Sequence, residues 1–271
     1  MASQRHYQYR PLEKGRCIRL LRLEPGDAAA AQKISIFHAD LDQQATYEAL
    51  SYTWGDPDDT TLISCTEEGS TLAVTRNCEA ALRSLRLEYE ERTLWIDAIC
   101  IDQSNVDERG QQVRLMSDIY KQAQQVIAYL GEASHDSQVG MDFILHDLQA
   151  ISAAGEDRPS MAIDHILTRP YFERIWIIQE IVFARQVNIV LGDRTVDWEA
   201  FKRTAYYVDI NKQVLLGGDR KPPRVLKYKD RATSFTSGKV STSKPDALLE
   251  LLRDMRMCKA TDPRDKIHAL L

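Results

Sequence analysis

Residues 94–101 read Leu-Trp-Ile-Asp-Ala-Ile-Cys-Ile, an almost unbroken apolar run interrupted only by Asp97. A strand exposed on one face alternates polar and apolar side chains, whereas a run apolar at every position belongs to a strand covered on both faces. That requires helices on both sides of a sheet and so an α/β layer architecture. A second run, Gln125 to Leu130, ends at Gly131. Between the two, Val113, Met116, Ile119 and Tyr120 recur at helical spacing behind Asp107, a residue suited to cap a helix. Strand, helix, strand is a βαβ unit. Parallel sheets bind ligands at the carboxyl ends of their strands, so chemistry is sought in the loops after Tyr52, Ile101 and Leu130.

The flanking segments supply the remaining elements. Cys17 to Leu23 and Ile34 to Phe37 predict two strands joined by a loop, and Tyr47 to Tyr52 a third. Leu62 to Cys65 and Thr71 to Val74 flank Glu67-Glu68-Gly69-Ser70 as a hairpin. Asn77 then caps a helix carrying Ala80, Ala81, Leu82 and Leu85. Helices are expected at Ser137 to Ala150, Met161 to Thr168 and Phe172 to Ala184, with a late strand at Val187 to Leu191. Residues 217–244 read as a long loop and Asp246 to Met257 as a last helix. Leu270-Leu271 end the sequence inside an apolar run, which suggests a domain cut from a longer protein.

Composition narrows the function. The 271 residues are 44% hydrophobic and 28% charged, the range of ordinary folded chains. A net charge of −5 argues against a general phosphate-backbone binder. No apolar signal core and no stretch of about 20 uncharged residues occurs, so the reading is an intracellular, soluble chain without a membrane segment. Five cysteines without a CxxC pair and six scattered histidines give neither a disulfide framework nor a zinc signature. GxGxxG, GxxxxGK[ST] and GxSxG are all missing.

Two constellations remain. Trp176 and Glu180 lie in one apolar segment, Ile175 to Ala184. Burying a lone carboxylate there costs several kcal/mol, so Glu180 is either paired with a base such as Arg174 or Arg185, or faces a cleft where it acts. The second set, Tyr52, Trp54, Asp56, Asp97, Asp102 and Gln103, falls at or just past the ends of the first strands, where aromatic and polar groups suit a nucleotide base and ribose. Asp97 equally suits a structural acceptor for backbone amides or an arginine.

Five blocks, 47–55, 94–103, 112–120, 174–180 and 261–266, together resemble the fungal heterokaryon incompatibility (HET) domain across roughly residues 7 to 271. Members of that family trigger programmed cell death when unlike fungal cells fuse, as effector parts of larger receptors. HET domains in turn resemble TIR domains. Leu50-Ser51-Tyr52 is similar to the first TIR strand, Asp97 to Asp102 to the second, and Asp102 to Gly110 to its BB loop. Arg174-Ile175-Trp176 followed by Glu180 is similar to the TIR segment in which a Trp precedes the catalytic glutamate by four. Ile177 departs from the Cys often found there.

The resemblance implies a TIR-like (flavodoxin-like) parallel sheet flanked by helices, with an N-terminal β-hairpin and family-specific insertions. It implies one HET domain over 1–271: a β extension at 1–45, a TIR-like core at 46–192 and a helical and loop extension at 193–271. It further implies a cytoplasmic cell-death effector that cleaves the nicotinamide–ribose bond of NAD+ or a related nucleotide, with NAD+ as substrate and no cofactor or metal. Glu180 would be catalytic, and Ser51, Tyr52, Trp54, Asp97, Asp102, Gln103, Arg109 and Trp176 would contact substrate. Partners would be further copies of the chain and other domains of a larger protein. The alternative from a different class is a non-enzymatic module that signals death by oligomerisation.

Overall fold

The structure, a computed structural model, describes residues 5–13, 15–27, 30–146, 158–216, 225–226, 258–260, 264–265 and 269. The chain divides into two compact units, residues 1–131 and 132–271. The fold is α/β with a mixed sheet and flanking helices.

Unit 1 holds β1 (Cys17–Leu23), β2 (Lys33–Asp40), β3 (Glu48–Tyr52), β4 (Thr60–Cys65), β5 (Thr71–Thr75), β6 (Arg92–Trp95) and β7 (Val126–Tyr129), in the order β5-β4-β2-β1-β6-β3-β7. The expected parallel sheet is confined to part of this array. β6, β3 and β7 are parallel, as are β2 and β4, but β1 runs antiparallel to both β2 and β6, and β4 to β5. The physical reason is connectivity: β1 and β2, and likewise β4 and β5, follow each other through short loops that only antiparallel neighbours allow, whereas parallel neighbours need a crossover connection. β1 is thereby covered on both faces, with Ile18, Leu20, Leu21 and Leu23 all buried.

Three helices cover this sheet. α1 (Arg76–Leu85) starts two residues earlier than Asn77 suggests, because the hydroxyl of Thr75 accepts from the Cys78 amide at 3.3 Å and caps it. α2 is the single turn Asp97–Cys100, and α3 spans Val106–Gln122. Asn105, not Asp107, caps α3, its side chain accepting from the Glu108 amide at 3.1 Å. The packing of α3 on the sheet is fixed by hydroxyls as well as apolar surface. Tyr47 donates to the Ile119 carbonyl at 2.7 Å and Tyr120 to the Leu50 carbonyl at 3.1 Å, with Tyr120 edge-on to Trp95 at 5.4 Å.

The expected strand over residues 94–101 stops at Trp95. Asp97 Oδ1 accepts from the Ala98 amide at 2.8 Å, and the amides of Ile99 and Cys100 return to the Ile96 carbonyl at 3.0 and 2.7 Å, closing a helical turn. Ile99 and Cys100 are as buried in that turn as a strand would make them, so an unbroken apolar run cannot distinguish the two.

Unit 2 contains α4 (His135–His146), α5 (Arg158–Leu167), α6 (Ile177–Val182), β8 (Val187–Leu191), β9 (Arg194–Asp197) and α7 (Trp198–Leu216). α4 and α5 approach closely at Gly140, where an added Cβ would lie 2.7 Å from Ile166 Cδ1 and 3.0 Å from the Ala162 carbonyl. The helix expected from Phe172 to Ala184 is broken: Pro170–Glu173 is a 3-10 turn, Arg174 is extended, and α6 begins only at Ile177. Lys259 causes the break, donating its amide to the Glu173 carbonyl at 2.6 Å and accepting from the Ile175 amide at 3.1 Å. β9 and α7 went unread. Gly192 (φ 58°) and Asp193 turn the β8–β9 hairpin, and Asp197 accepts from the Ala200 amide at 3.0 Å to start α7. The loop read at 217–244 and the helix at Asp246 to Met257 lie outside the described residues, apart from Val225 and Leu226, both buried.

Burial pushes the Cys65 thiol up to about 11 and those of Cys78 and Cys100 up to about 12, against an ordinary 9.0. On raising the pH above about 9 the unfolded chain loses these protons first, so stability falls from there to about pH 12. Chemical denaturation at stepped pH should show that decline. Iodoacetamide at pH 8 should spare Cys65, Cys78 and Cys100 in the folded protein and modify them once it is unfolded.

Candidate functional site

In unit 1 the carboxyl ends of β3 and β6 carry most of the residues singled out from the sequence. Ser51 and Tyr52 end β3 as buried side chains, each 1% exposed. The chain then emerges at Trp54, whose indole Nε1 donates to Asp97 Oδ2 at 2.9 Å. Asp97 stands at the start of α2, and its carbonyl accepts from Gln103 Nε2 at 2.9 Å. Arg109 reaches back to the Gln103 carbonyl at 3.4 Å. Trp54, Asp97, Gln103 and Arg109 are therefore one hydrogen-bonded chain. Asp102 faces elsewhere: its Oδ1 accepts from the amide and hydroxyl of Ser104, at 3.1 and 2.6 Å. The segment Asp102 to Gly110, read as one loop, is a loop only as far as Asn105, because α3 starts at Val106.

A buried ion pair that sequence reasoning missed supports this connection. Arg19 on β1 is fully buried and forks onto Glu108 in the first turn of α3, with Nη1–Oε1 at 2.5 Å and Nη2–Oε2 at 3.0 Å. Glu108 Oε1 also accepts from the Asp102 amide at 2.8 Å. Arg19 Nη1 donates to the Cys100 carbonyl at 3.2 Å, Nη2 to the Arg10 carbonyl at 2.6 Å, and the Tyr9 ring lies 4.9 Å below the guanidinium. The partners stand 89 residues apart, so no local pattern couples them.

In unit 2, Trp176 sits at the N-cap of α6 and Glu180 in its first turn, where the Glu180 amide donates to the Trp176 carbonyl at 3.2 Å. Glu180 is 1% exposed and its carboxylate accepts a fork from Arg174, Nη1–Oε2 at 3.0 Å and Nη2–Oε1 at 2.9 Å. Of the two bases considered from the sequence, Arg174 is the partner. Trp176 Nε1 donates to Asp265 Oδ2 at 3.3 Å, tying α6 to the Asp-Pro-Arg-Asp block. Ile175, Ile178 and Ala269 pack together beneath, with Trp176, Val182, Cys258 and Ala260 against them. Among the described residues no group of His, Cys, Asp or Glu could hold a metal ion.

The two members of the Arg174–Glu180 pair are unequally buried, 17% against 1% of the side chain exposed, and that sets an asymmetry. Arg174→Met takes the guanidinium fork from a buried carboxylate and should lower stability by about 3–5 kcal/mol. Glu180→Gln leaves a guanidinium that can turn to solvent and should cost only about 1–3 kcal/mol. Urea unfolding of both variants checks the order; equal losses would mean that Arg174 is held as tightly as Glu180.

Comparison with known proteins agrees with the first four blocks described above; the fifth, 261–266, lies outside the residues that the family model matches. The family model for the heterokaryon incompatibility protein (HET) matches residues 47–180. "Heterokaryon incompatibility protein 6, OR allele" of Neurospora crassa is 30% identical over 232 residues, an alignment covering 66% of this chain and 34% of that protein. The chain thus spans about a third of the length of that relative. No solved structure matches. No helix among the described residues is long and apolar enough to cross a membrane. With the β3 end, the β6–α3 connection and the Arg174–Glu180 segment all inside the matched region, the chain carries a heterokaryon incompatibility domain over residues 47–180.

Proposed function

We propose that this chain is a cytoplasmic cell-death effector of fungal incompatibility that cleaves the nicotinamide–ribose bond of NAD+ or a related nucleotide, with Glu180 as the catalytic carboxylate. The incompatibility role follows from the HET match and from the name of the Neurospora relative. The observation that carries the chemistry is Glu180 itself, an ionisable side chain 1% exposed and oriented by a two-point guanidinium fork from Arg174. The resemblance to TIR domains assigns the same residue.

A single carboxylate suffices for this reaction. Nicotinamide leaves an already cationic nitrogen as a neutral molecule, so no general acid is needed, unlike the paired carboxylates of ordinary glycoside hydrolysis. The bond from the ribose anomeric carbon to the pyridinium nitrogen breaks with its electron pair going to nitrogen, water bonds to the carbon, and the water's surplus proton is released. Glu180 would accept hydrogen bonds from the ribose hydroxyls and stabilise the positive charge that grows on the sugar. Arg174 would have to share or release one oxygen for this. Ser51, Tyr52, Trp54, Asp97, Asp102, Gln103, Arg109 and Trp176 are the proposed substrate contacts, with no metal or cofactor in the scheme.

A second reading has one observation in its favour. Arg174 engages both Glu180 oxygens without any substrate, as a purely structural pair would, which suits a module that signals death by self-association. Mass spectrometry of NAD+ incubated with concentrated protein separates the two. The enzyme reading expects NAD+ loss that falls at least about 100-fold in Glu180→Gln while the variant stays folded. Undiminished NAD+ with wild-type protein, or equal loss with the variant, would leave the signalling module.

Self-association belongs to both readings, together with attachment to the other domains of a larger protein. An ordered neighbour can offset the entropy of fixing a site loop, which couples assembly to activity. Initial NAD+ loss per domain should therefore rise steeply over a hundredfold range of protein concentration, and Arg109→Ala should flatten the rise. Constant specific activity would show a lone domain to be competent.

A further inference from the structure

α6 cannot account for its own position. It has six residues, far fewer than an isolated helix needs to persist in water, and Trp176 at its N-cap supplies no side-chain cap. Yet Glu180 lies in its first turn, and the Glu180 amide ends on the Trp176 carbonyl at 3.2 Å. The backbone of Glu180 is therefore placed by whatever holds Trp176.

The hold comes from a distant part of the chain. Lys259 bridges Glu173 and Ile175 through its backbone, at 2.6 and 3.1 Å, and its Nζ pairs with Glu173 Oε2 at 2.5 Å. Asp265, 89 positions from Trp176, accepts from its indole Nε1 at 3.3 Å through Oδ2. The Asp265 carbonyl accepts the Ala269 amide at 2.9 Å, and Ala269, fully buried, packs with Ile175 and Ile178. Lys259 and Ala269 thus fix the segment that leads into α6, whereas Asp265 grips the residue whose carbonyl carries Glu180. Trp176 is half-buried, so water could satisfy its N–H; a carboxylate at that place sets the orientation of the ring instead.

Resting on the reading of Glu180 as the catalytic carboxylate, we infer that Asp265 is a positioning residue for it, acting through Trp176, so that the site is completed by a segment outside the residues 47–180 that the family model matches. The path from the Asp265 carboxylate through the Trp176 indole and carbonyl to the Glu180 amide lies wholly within unit 2. Hydrogen exchange of the full chain, read at the Glu180 amide, tests it without turnover. Asp265→Ala removes the acceptor and should speed that amide at least about fivefold while the β8 amides keep their wild-type rates. Asp265→Asn retains an acceptor oxygen and should stay within about twofold of wild type. Trp176→Phe removes the donor and should speed the Glu180 amide by the same factor, with nothing added when Asp265→Ala is combined with it.

An unmoved Glu180 amide in Asp265→Ala, equal acceleration in Asp265→Asn, or additive effects in the double variant would overturn the inference. Where Asp265→Ala fails to fold, Trp176→Phe carries the same comparison, and a Glu180 amide unmoved by it overturns the inference. NAD+ loss separates the inference from the reading on which it rests. With Glu180 catalytic, Asp265→Ala should lower NAD+ loss at least about tenfold and Asp265→Asn should restore most of it. Full NAD+ loss in folded Asp265→Ala would overturn the positioning role and keep the catalytic one. Accelerated exchange in protein that spares NAD+ would keep the hold of Asp265 on the Glu180 segment and remove the catalysis.

Discussion

The Arg19–Glu108 pair is the contact on which the first unit depends. Removing a guanidinium and a carboxylate from water costs several kcal/mol per ion, and attraction offsets that only when the geometry is good and the remaining donors are satisfied. Here they largely are. The fork is two-pronged, both Nη atoms also reach carbonyls, and Glu108 collects the Asp102 amide. One side chain thereby binds β1, the N-terminal segment through Arg10, the end of α2 through Cys100 and the first turn of α3. The connection that presents Asp97, Asp102 and Gln103 is bounded on both sides by groups that cannot shift without exposing an unpaired buried charge.

The same device recurs at two further carboxylates among the described residues. Arg92 forks onto Glu48 at the start of β3, and Arg174 onto Glu180 beside α6. Arginine suits the task because its planar donors match both carboxylate oxygens at once and it does not deprotonate. The Glu180 pair differs from that of Glu108 in having a partly exposed arginine, so the carboxylate can be released without burying a lone cation.

Local pattern carried much of the fold. Periodicity located the strands around Tyr52, Ile127 and Ile189 and the helices α1, α3, α4 and α5, because each buries a face that its own residues define. The pairing of Trp54 with Asp97 was foreshadowed by their common place at strand ends. What stayed hidden was set by distant residues. The direction of β1 depends on β6, some seventy positions on in the chain. The break before α6 depends on Lys259, and the Glu108 pair on a residue 89 positions away. The turn at Asp97 was a different failure, since an apolar run without period fits strand and helix alike. β9 and α7 were legible in principle, from Gly192-Asp193 and the cap at Asp197.

Hydrogen exchange at the amide of Asp102 tests the central claim most directly, because that N–H ends on the buried Glu108 carboxylate while exposed Ser104, two residues on, donates its amide to the half-buried Asp102 side chain. If the Arg19–Glu108 pair fixes the β6–α3 connection, Asp102 should exchange as slowly as the core amides of β3, and Ser104 far faster. Exchange of Asp102 at the rate of Ser104 would show that the connection opens independently of the pair and would contradict the account.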